Sequence, residues 1–408
     1  MLKQILKNLF SLSIAEVIGK AVGLITAAYL ARVINPEGFG ILNFASAFVS
    51  YFVLTVIFGL DIYGNREAAK NKGDSSKIVN SILSLKIFFA IILYLTFAVI
   101  VFFIKQPMFV RGVLLISGLN LFVTAANLDW YFNGIEKMSV VAVGKILLSL
   151  LNLCGILIFV HSADDILLAA GVSTFSGAAN SALLLGVYSR YSERIRLAFQ
   201  WEKCKPILRE SFPIFFSSLM IMIYYNLDMV MLGYMKTQSE VGIYSAAYKI
   251  FLTGIIPFSL ILLSFFPSLS KTGLIAEKDF KNLIKNYSIF LVSCGVLMTL
   301  ILYFFSQELV SVIFGSRYLQ AAPVLRILSM NALVISINIL FGNPLIAWGK
   351  QKAYSAAITL GAVTNIILNF ILIPGYSYTG AAFATLLSEV VVFGGVFILF
   401  QSSVYKKL

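Results

Sequence analysis

About twelve runs of roughly 20 apolar residues decide what this chain can become, because a run of that length is what crosses the hydrocarbon core of a bilayer. They fall near 9–32, 39–60, 79–104, 108–128, 138–160, 164–189, 211–234, 243–267, 286–305, 322–343, 354–374 and 379–401. Composition agrees. Of 408 residues, 60% are hydrophobic and 12% charged, about half the charged fraction of a soluble domain. Mean hydropathy is +0.93. A soluble core this apolar would leave too few polar residues for its surface. The expected fold class is an all-α membrane protein of about twelve transmembrane helices.

Charge placement sets an expected orientation, since Lys and Arg accumulate in cytoplasmic loops. One set of span ends carries Lys3, Lys7, Arg66, Lys70, Lys72, Lys77, Lys137, Arg190, Arg194, Arg196, Lys203, Lys205 and Arg209. The same set continues with Lys271, Lys278, Lys281, Lys285, Lys350, Lys352, Lys406 and Lys407. The alternate ends hold Arg32, Lys105, Arg111, Lys236, Arg317 and Arg326. Both termini are therefore expected on the cytoplasmic side. The net charge of +13 reads as this topological signal. A nucleic-acid partner is not expected, because the basic residues are spread over many loops.

The loops argue against an enzyme. "HSADD" (161–165), "KTQSE" (236–240) and "GYSYTG" (375–380) are too short to build an external catalytic site, and no GxxxxGK[ST] loop occurs. Asp164 and Asp165 are expected to cap the next helix, and His161 beside them reads as a solvated loop residue. Cys154, Cys204 and Cys294 lack metal-site spacing and read as packing residues. The apolar run after Lys3 and Lys7 is too long for a signal-peptide core.

The chain divides into two six-span lobes, 1–189 and 211–408, joined by a polar, basic linker at 190–210. That linker reads either as a topogenic loop or as a short surface helix with Leu197, Phe199 and Trp201 toward lipid. The halves echo each other. "PEGFGILNFASAF" follows the first span and "SEVGIYSAAYKIF" the seventh. "FNGIEKMSVVAVGKILLSLLNLCGILIF" is similar to "AWGKQKAYSAAITLGAVTNIILNFILIP". Such internal repeats mark many secondary transporters, with the substrate site between them.

Several stretches resemble one family. "YLARVINPEGFGILNFASAF", "GLDIYGNREAA" with Asp61 and Arg66, "DWYFNGIEKM", and "YYNLDMVMLGYMKTQSEVGIYSAAYKI" occur in order, followed by "NIILNFILIPGYSYTGAAFATLLSE" within 342–389. Together they resemble the O-antigen and polysaccharide flippases (Wzx-type) of the multidrug/oligosaccharidyl-lipid/polysaccharide exporter superfamily, over nearly the whole chain. The resemblance implies a MATE-like fold of two pseudo-symmetric lobes in the bacterial inner membrane. It also implies a non-enzymatic carrier that moves undecaprenyl-diphosphate-linked oligosaccharide from the cytoplasmic to the periplasmic leaflet, with membrane lipid around it. A polysaccharide polymerase and a chain-length regulator are the implied protein partners. No cofactor is implied beyond a coupling ion, sodium or a proton.

Charged residues inside the spans are the candidate site residues, since each costs roughly 2.5–3.5 kcal/mol when it faces lipid. On the first span, Ala15, Gly19, Gly23, Ala27 and Ala31 form a small-residue stripe that admits a neighbouring helix. Glu16 and Lys20 lie beside it. They are expected to face the lobe interior or a wet cavity, either as a self-neutralising i,i+4 pair or with Lys20 meeting a diphosphate. Lys86, Lys145 and Lys249 add cations within spans three, five and eight, with snorkelling to the surface as the alternative for each. Arg32 and Arg326 sit at outer helix ends, as interfacial anchors or as a ring at the outer mouth. The sum is cationic and suits a diphosphate.

A second group is acidic and amidic: Asp228 on span seven, Asn365 and Asn369 at i,i+4 on span eleven, and Thr385 one turn before Glu389 on span twelve. Asp228, Asn365, Asn369 and Thr385 supply hard oxygens that suit sodium, and the resemblance implies sodium between spans seven, eleven and twelve. The departure is that Asn369 stands in place of a second acid, with Glu389 one turn from the usual threonine. Proton coupling through Asp228 or Glu389, or simple helix-to-helix bonding, are the alternatives. For the whole chain, the alternatives to a flippase are a multidrug antiporter on the same fold and, less favoured, a membrane glycosyltransferase or polymerase.

Overall fold

The computed structural model describes residues 2–70, 76–191, 195, 197, 199, 201–259, 261, 262, 265 and 277–404. Among the described residues the regular elements are all helices. In chain order they are α1 (Leu2–Ile57), α2 (Leu60–Lys70), α3 (Ser76–Phe103), α4 (Met108–Gly118), α5 (Asn120–Ala126), α6 (Asp129–Gly134) and α7 (Met138–Phe159). There follow α8 (Ile166–Tyr191), α9 (Trp201–Met235), α10 (Gln238–Gly254), α11 (Glu277–Phe304), α12 (Ser306–Ile313), α13 (Ala321–Ala347) and α14 (Gln351–Val404).

Ten helical stretches among the described residues are long and apolar enough to cross a membrane. The two longest each contain a break and so make two crossings, which gives the number the apolar runs require. In α1 the break is Asn35 (φ 62, ψ 170), followed by Pro36. Proline has no N–H to continue the ladder, and asparagine tolerates the left-handed region better than most residues. In α14 the break is Ser377 (φ 51, ψ −132), three residues after Pro374. The chain folds back so tightly there that a Cβ on Gly380 would lie 2.5 Å from the Leu372 carbonyl oxygen. Large apolar side chains such as Phe102 (72% exposed) and Ile398 (66%) point outward, as lipid-facing positions do.

The chain forms two compact units, Met1–Leu219 and Met220–Leu408. The division falls inside α9, beyond the linker's expected end at residue 210. In the first unit Leu60, Ile82, Leu128, Trp130, Tyr188, Cys204 and Ile207 share one core, so the first turns of α9 pack with α2, α3, α6 and α8. Phe58 stacks on Phe215 with centroids 4.6 Å apart, and Arg66 pairs with Glu210 at 2.6 Å. Tight packing explains two glycines of the quoted motifs. A Cβ on Gly64 would strike the Trp130 ring at 2.5 Å, and one on Gly134 would strike the Asn65 carbonyl at 2.7 Å. The small-residue stripe of α1 lies against α7: a Cβ on Gly19 would stand 3.3 Å from Ser149 Oγ. In the second unit Tyr224, Leu345, Ala357, Ala362, Val392 and Val396 form a core shared by α9, α13 and α14.

Part of the expected orientation signal falls on Lys3, Lys7, Lys72, Arg194, Arg196, Lys203, Lys271, Lys278, Lys281, Lys406 and Lys407, which lie outside the residues whose side chains are described. The linker's expected surface helix also falls partly there. Its described members Leu197, Phe199 and Trp201 are exposed, and Phe199 stacks on Phe88 of α3 at 4.5 Å. Asp165 precedes α8 and accepts from the His161 and Ser162 N–H groups at 3.0 and 2.8 Å. Those bonds, that of His161 foremost, hold its carboxyl below the usual range.

The break in α14 gives a direct test. Gly380→Ala should destabilise the protein by about 1–3 kcal/mol, because backbone cannot yield to the new methyl. Gly23→Ala, whose Cβ would meet nothing within 4 Å, should leave the melting curve in detergent unchanged.

Candidate substrate and cation sites

In the first unit the intramembrane charges pair with one another. Glu16 and Lys20 lie 3.6 Å apart on α1, 55% and 46% exposed. They are therefore not in the lobe interior, and each keeps open surface. Lys86 of α3 is fully buried and forms an ion pair with Asp61 of α2. Its side chain does not take the snorkelling alternative: a carboxylate within the protein meets the ammonium where the helix buries it. Lys145 of α7 is partly buried, and its charge acts on Asp129 at the start of α6. Asn127 Oδ1 accepts from the Asp129 N–H at 2.8 Å, while Asp129 Oδ1 is buried without a hydrogen-bond partner. Arg32 is exposed near the Asn35 break.

The second unit carries the other two candidate cations. Lys249 is partly buried on α10. Arg326, exposed on α13, donates through Nε to Ser306 Oγ at 2.8 Å.

Four of the five acidic and amidic candidates come together. Asp228 of α9 is 2% exposed. Asn369 Nδ2 donates to its Oδ1 at 2.5 Å. Thr385 and Tyr244 both donate to its Oδ2 at 2.6 Å. Asn369 Nδ2 also donates to Asn365 Oδ1 at 2.9 Å. The helices that meet are the seventh, eighth, eleventh and twelfth crossings. A carboxylate only accepts, and three neutral donors give it a complete polar surrounding without water. Glu389 is not part of this centre. It lies one turn further along α14, with Asn338 of α13 donating to its Oε2 at 2.6 Å.

The same two helix pairs are tied again where the chain turns. Lys236 Nζ donates to the Pro374 carbonyl at 2.9 Å, and Ser377 Oγ donates to Glu240 Oε1 at 2.5 Å. Thr237 and Glu240 form a capping box that starts α10.

The donor set fits a small hard cation. Asp228, Asn365, Thr385 and Tyr244 bring oxygens to the centre, whereas Asn369 turns its Nδ2 to it and keeps Oδ1 buried without a partner. Sequence reasoning missed Tyr244 and Asn338. Both partner an acid inside an apolar run, and the need of such an acid for a partner is the signal that could have prompted a search for them. It also used Asp61 only as a motif residue, although it is the counter-ion of Lys86.

The fold defines the class. The chain is a multi-pass helical membrane protein sharing its fold with the solved lipid II flippase MurJ in an inward closed conformation, at TM-score 0.78 and 15% identity, covering 96% of this chain and 87% of that one. The chain belongs to the family described as Polysaccharide biosynthesis protein, which it matches over residues 5–273. A MatE family match covers 213–371. It is similar to a protein of Escherichia coli (strain K12) named "Putative O-antigen transporter", 26% identical over 95% of this chain and 94% of that one. It is also similar to the capsular polysaccharide biosynthesis protein CapF of Staphylococcus aureus, 25% identical over 94% and 96%.

The buried pair makes the first unit testable. Lys86→Met alone leaves Asp61, itself 33% exposed, without its counter-ion and should cost about 1–3 kcal/mol. Adding Asp61→Leu should recover most of that loss, read as melting temperature and as yield of monodisperse protein.

Proposed function

We propose that this protein is a flippase. It moves undecaprenyl-diphosphate-linked oligosaccharide, the repeat unit of O-antigen or another surface polysaccharide, from the cytoplasmic to the periplasmic leaflet of the bacterial inner membrane. It works by alternating access and is not an enzyme. The observation that carries the reading is the likeness over nearly the full chain to relatives named for O-antigen transport and capsular polysaccharide biosynthesis. It is joined to a fold shared with a lipid II flippase.

Two roles are proposed for the site residues. Lys20, half exposed and held by Glu16, presents a cation to the diphosphate, while Lys86 is taken up by Asp61 and acts as a structural counter-ion. Sodium at Asp228, with Asn365, Asn369 and Thr385, biases the transport cycle. An ion does this only by binding the two states unequally, and a centre drawn from four crossings changes shape whenever those crossings shift. A polysaccharide polymerase and a chain-length regulator are the proposed protein partners, checked by co-purification after crosslinking. The MatE match over 213–371 favours multidrug antiport as the second reading.

The lipid-linked glycan pool of a deletion strain, measured by mass spectrometry with leaflet accessibility, separates the two. Accumulation of one lipid-linked glycan on the cytoplasmic side, cured by the wild-type gene, supports the flippase. An unchanged pool with altered drug resistance supports the antiporter. In the complemented strain Lys20→Ala should lower export about 10-fold or more, as expected for loss of a charge-assisted contact worth about 1.5–3 kcal/mol, while Lys20→Arg should retain it.

A further inference from the structure

The second unit holds another buried acid that the Asp228 centre does not use. Glu389 is 5% exposed. Asn338 Nδ2 donates to its Oε2 at 2.6 Å and to its backbone carbonyl at 3.2 Å. No Lys or Arg pairs with it among the described residues. Tyr224 and Tyr225 of α9, Tyr248 of α10 and Tyr354 of α14 lie within electrostatic reach of it. A buried carboxylate with only neutral amide and phenol groups near it is poorly compensated for the water it has lost.

Two further oxygens lie around it. The Tyr224 hydroxyl is turned to the carboxyl as a donor, and Asn338 Oδ1 is buried without a partner. Their side chains are 3% and 7% exposed. Folded proteins leave few buried polar atoms without a partner. The two sit beside the same acid, on α13 and α9, with the acid itself on α14. A proton on Glu389 would answer only one acceptor. A metal cation takes several oxygens at once and cancels the charge. An all-oxygen set of carboxylate, amide and phenol excludes the softer metals that call for Cys or His.

We propose that Glu389, Asn338 and Tyr224 form a second sodium site, separate from the one at Asp228. Half a turn of the Asn338 amide brings Oδ1 to the ion and moves the N–H group off the carboxylate. The two sites share α14, through Thr385 and Glu389, and share Tyr248, which lies within electrostatic reach of both acids. Movement of the twelfth crossing therefore alters both together.

This deepens the coupling part of the proposed function, and the test requires no cargo, so its failure is separable from failure of the flippase reading. Equilibrium binding of radiolabelled sodium is measured on the purified full chain in detergent. Asp228→Asn should still bind sodium, with a stoichiometry one ion below wild type, and adding Glu389→Gln should abolish the remainder. In the Asp228→Asn background, Asn338→Leu should weaken binding about 10- to 100-fold. Glu389→Asp, which keeps the carboxylate, should retain measurable binding and the elution profile of the folded protein. Loss of all sodium binding in Asp228→Asn, or wild-type stoichiometry in Glu389→Gln, overturns the proposal.

Discussion

A carboxylate inside hydrocarbon must find its hydrogen-bond donors within the protein, and the second half of this molecule is arranged around that requirement. Asp228 collects donors from Tyr244, Asn369 and Thr385, so three further crossings are held to the seventh by one side chain. Hydrophobic association does not do this in a membrane, where lipid tails are as apolar as leucine. The polar centre also couples those crossings to the charge of Asp228, because whatever neutralises that carboxylate changes what its donors must do.

The first half meets the same requirement by charge pairing. Lys86 and Asp61 neutralise each other between α3 and α2, and Glu16 and Lys20 do so along α1. The difference is exposure. Lys86 is committed to the fold, whereas Lys20 keeps open surface. α9 belongs to both units, since Trp201–Leu219 packs with the first and Met220–Met235, with Asp228, with the second. Pro206 and Pro213 lie on the first side of the division.

Much of this was legible in the sequence, because membrane crossing is a length requirement that a run of apolar residues states openly. The breaks in α1 and α14 were legible as the gaps between runs, marked by "NPEG" and "PGYSYTG". The Asn365–Asn369 spacing placed both amides on one face, and the resemblance joined them to Asp228 and Thr385. The partners that cross between helices were not legible. Tyr244 reads as a packing residue in an apolar run until the helix beside it is known. Lys86 looks like a snorkelling lysine until Asp61, on another helix, is seen to meet it. The division within α9 was hidden for the same reason: the basic linker marks a change in composition, while the unit boundary follows from what Phe58 and Arg66 hold.

The central claim is that a sodium-responsive centre in the second unit drives movement of a lipid-linked glycan. The most direct test is flipping of a purified undecaprenyl-diphosphate oligosaccharide in proteoliposomes, with and without a sodium gradient. The account predicts that the gradient accelerates flipping by wild-type protein, and that Asp228→Asn, shown to be folded by its melting curve, loses the acceleration. Equal flipping by the two proteins under the gradient would contradict it.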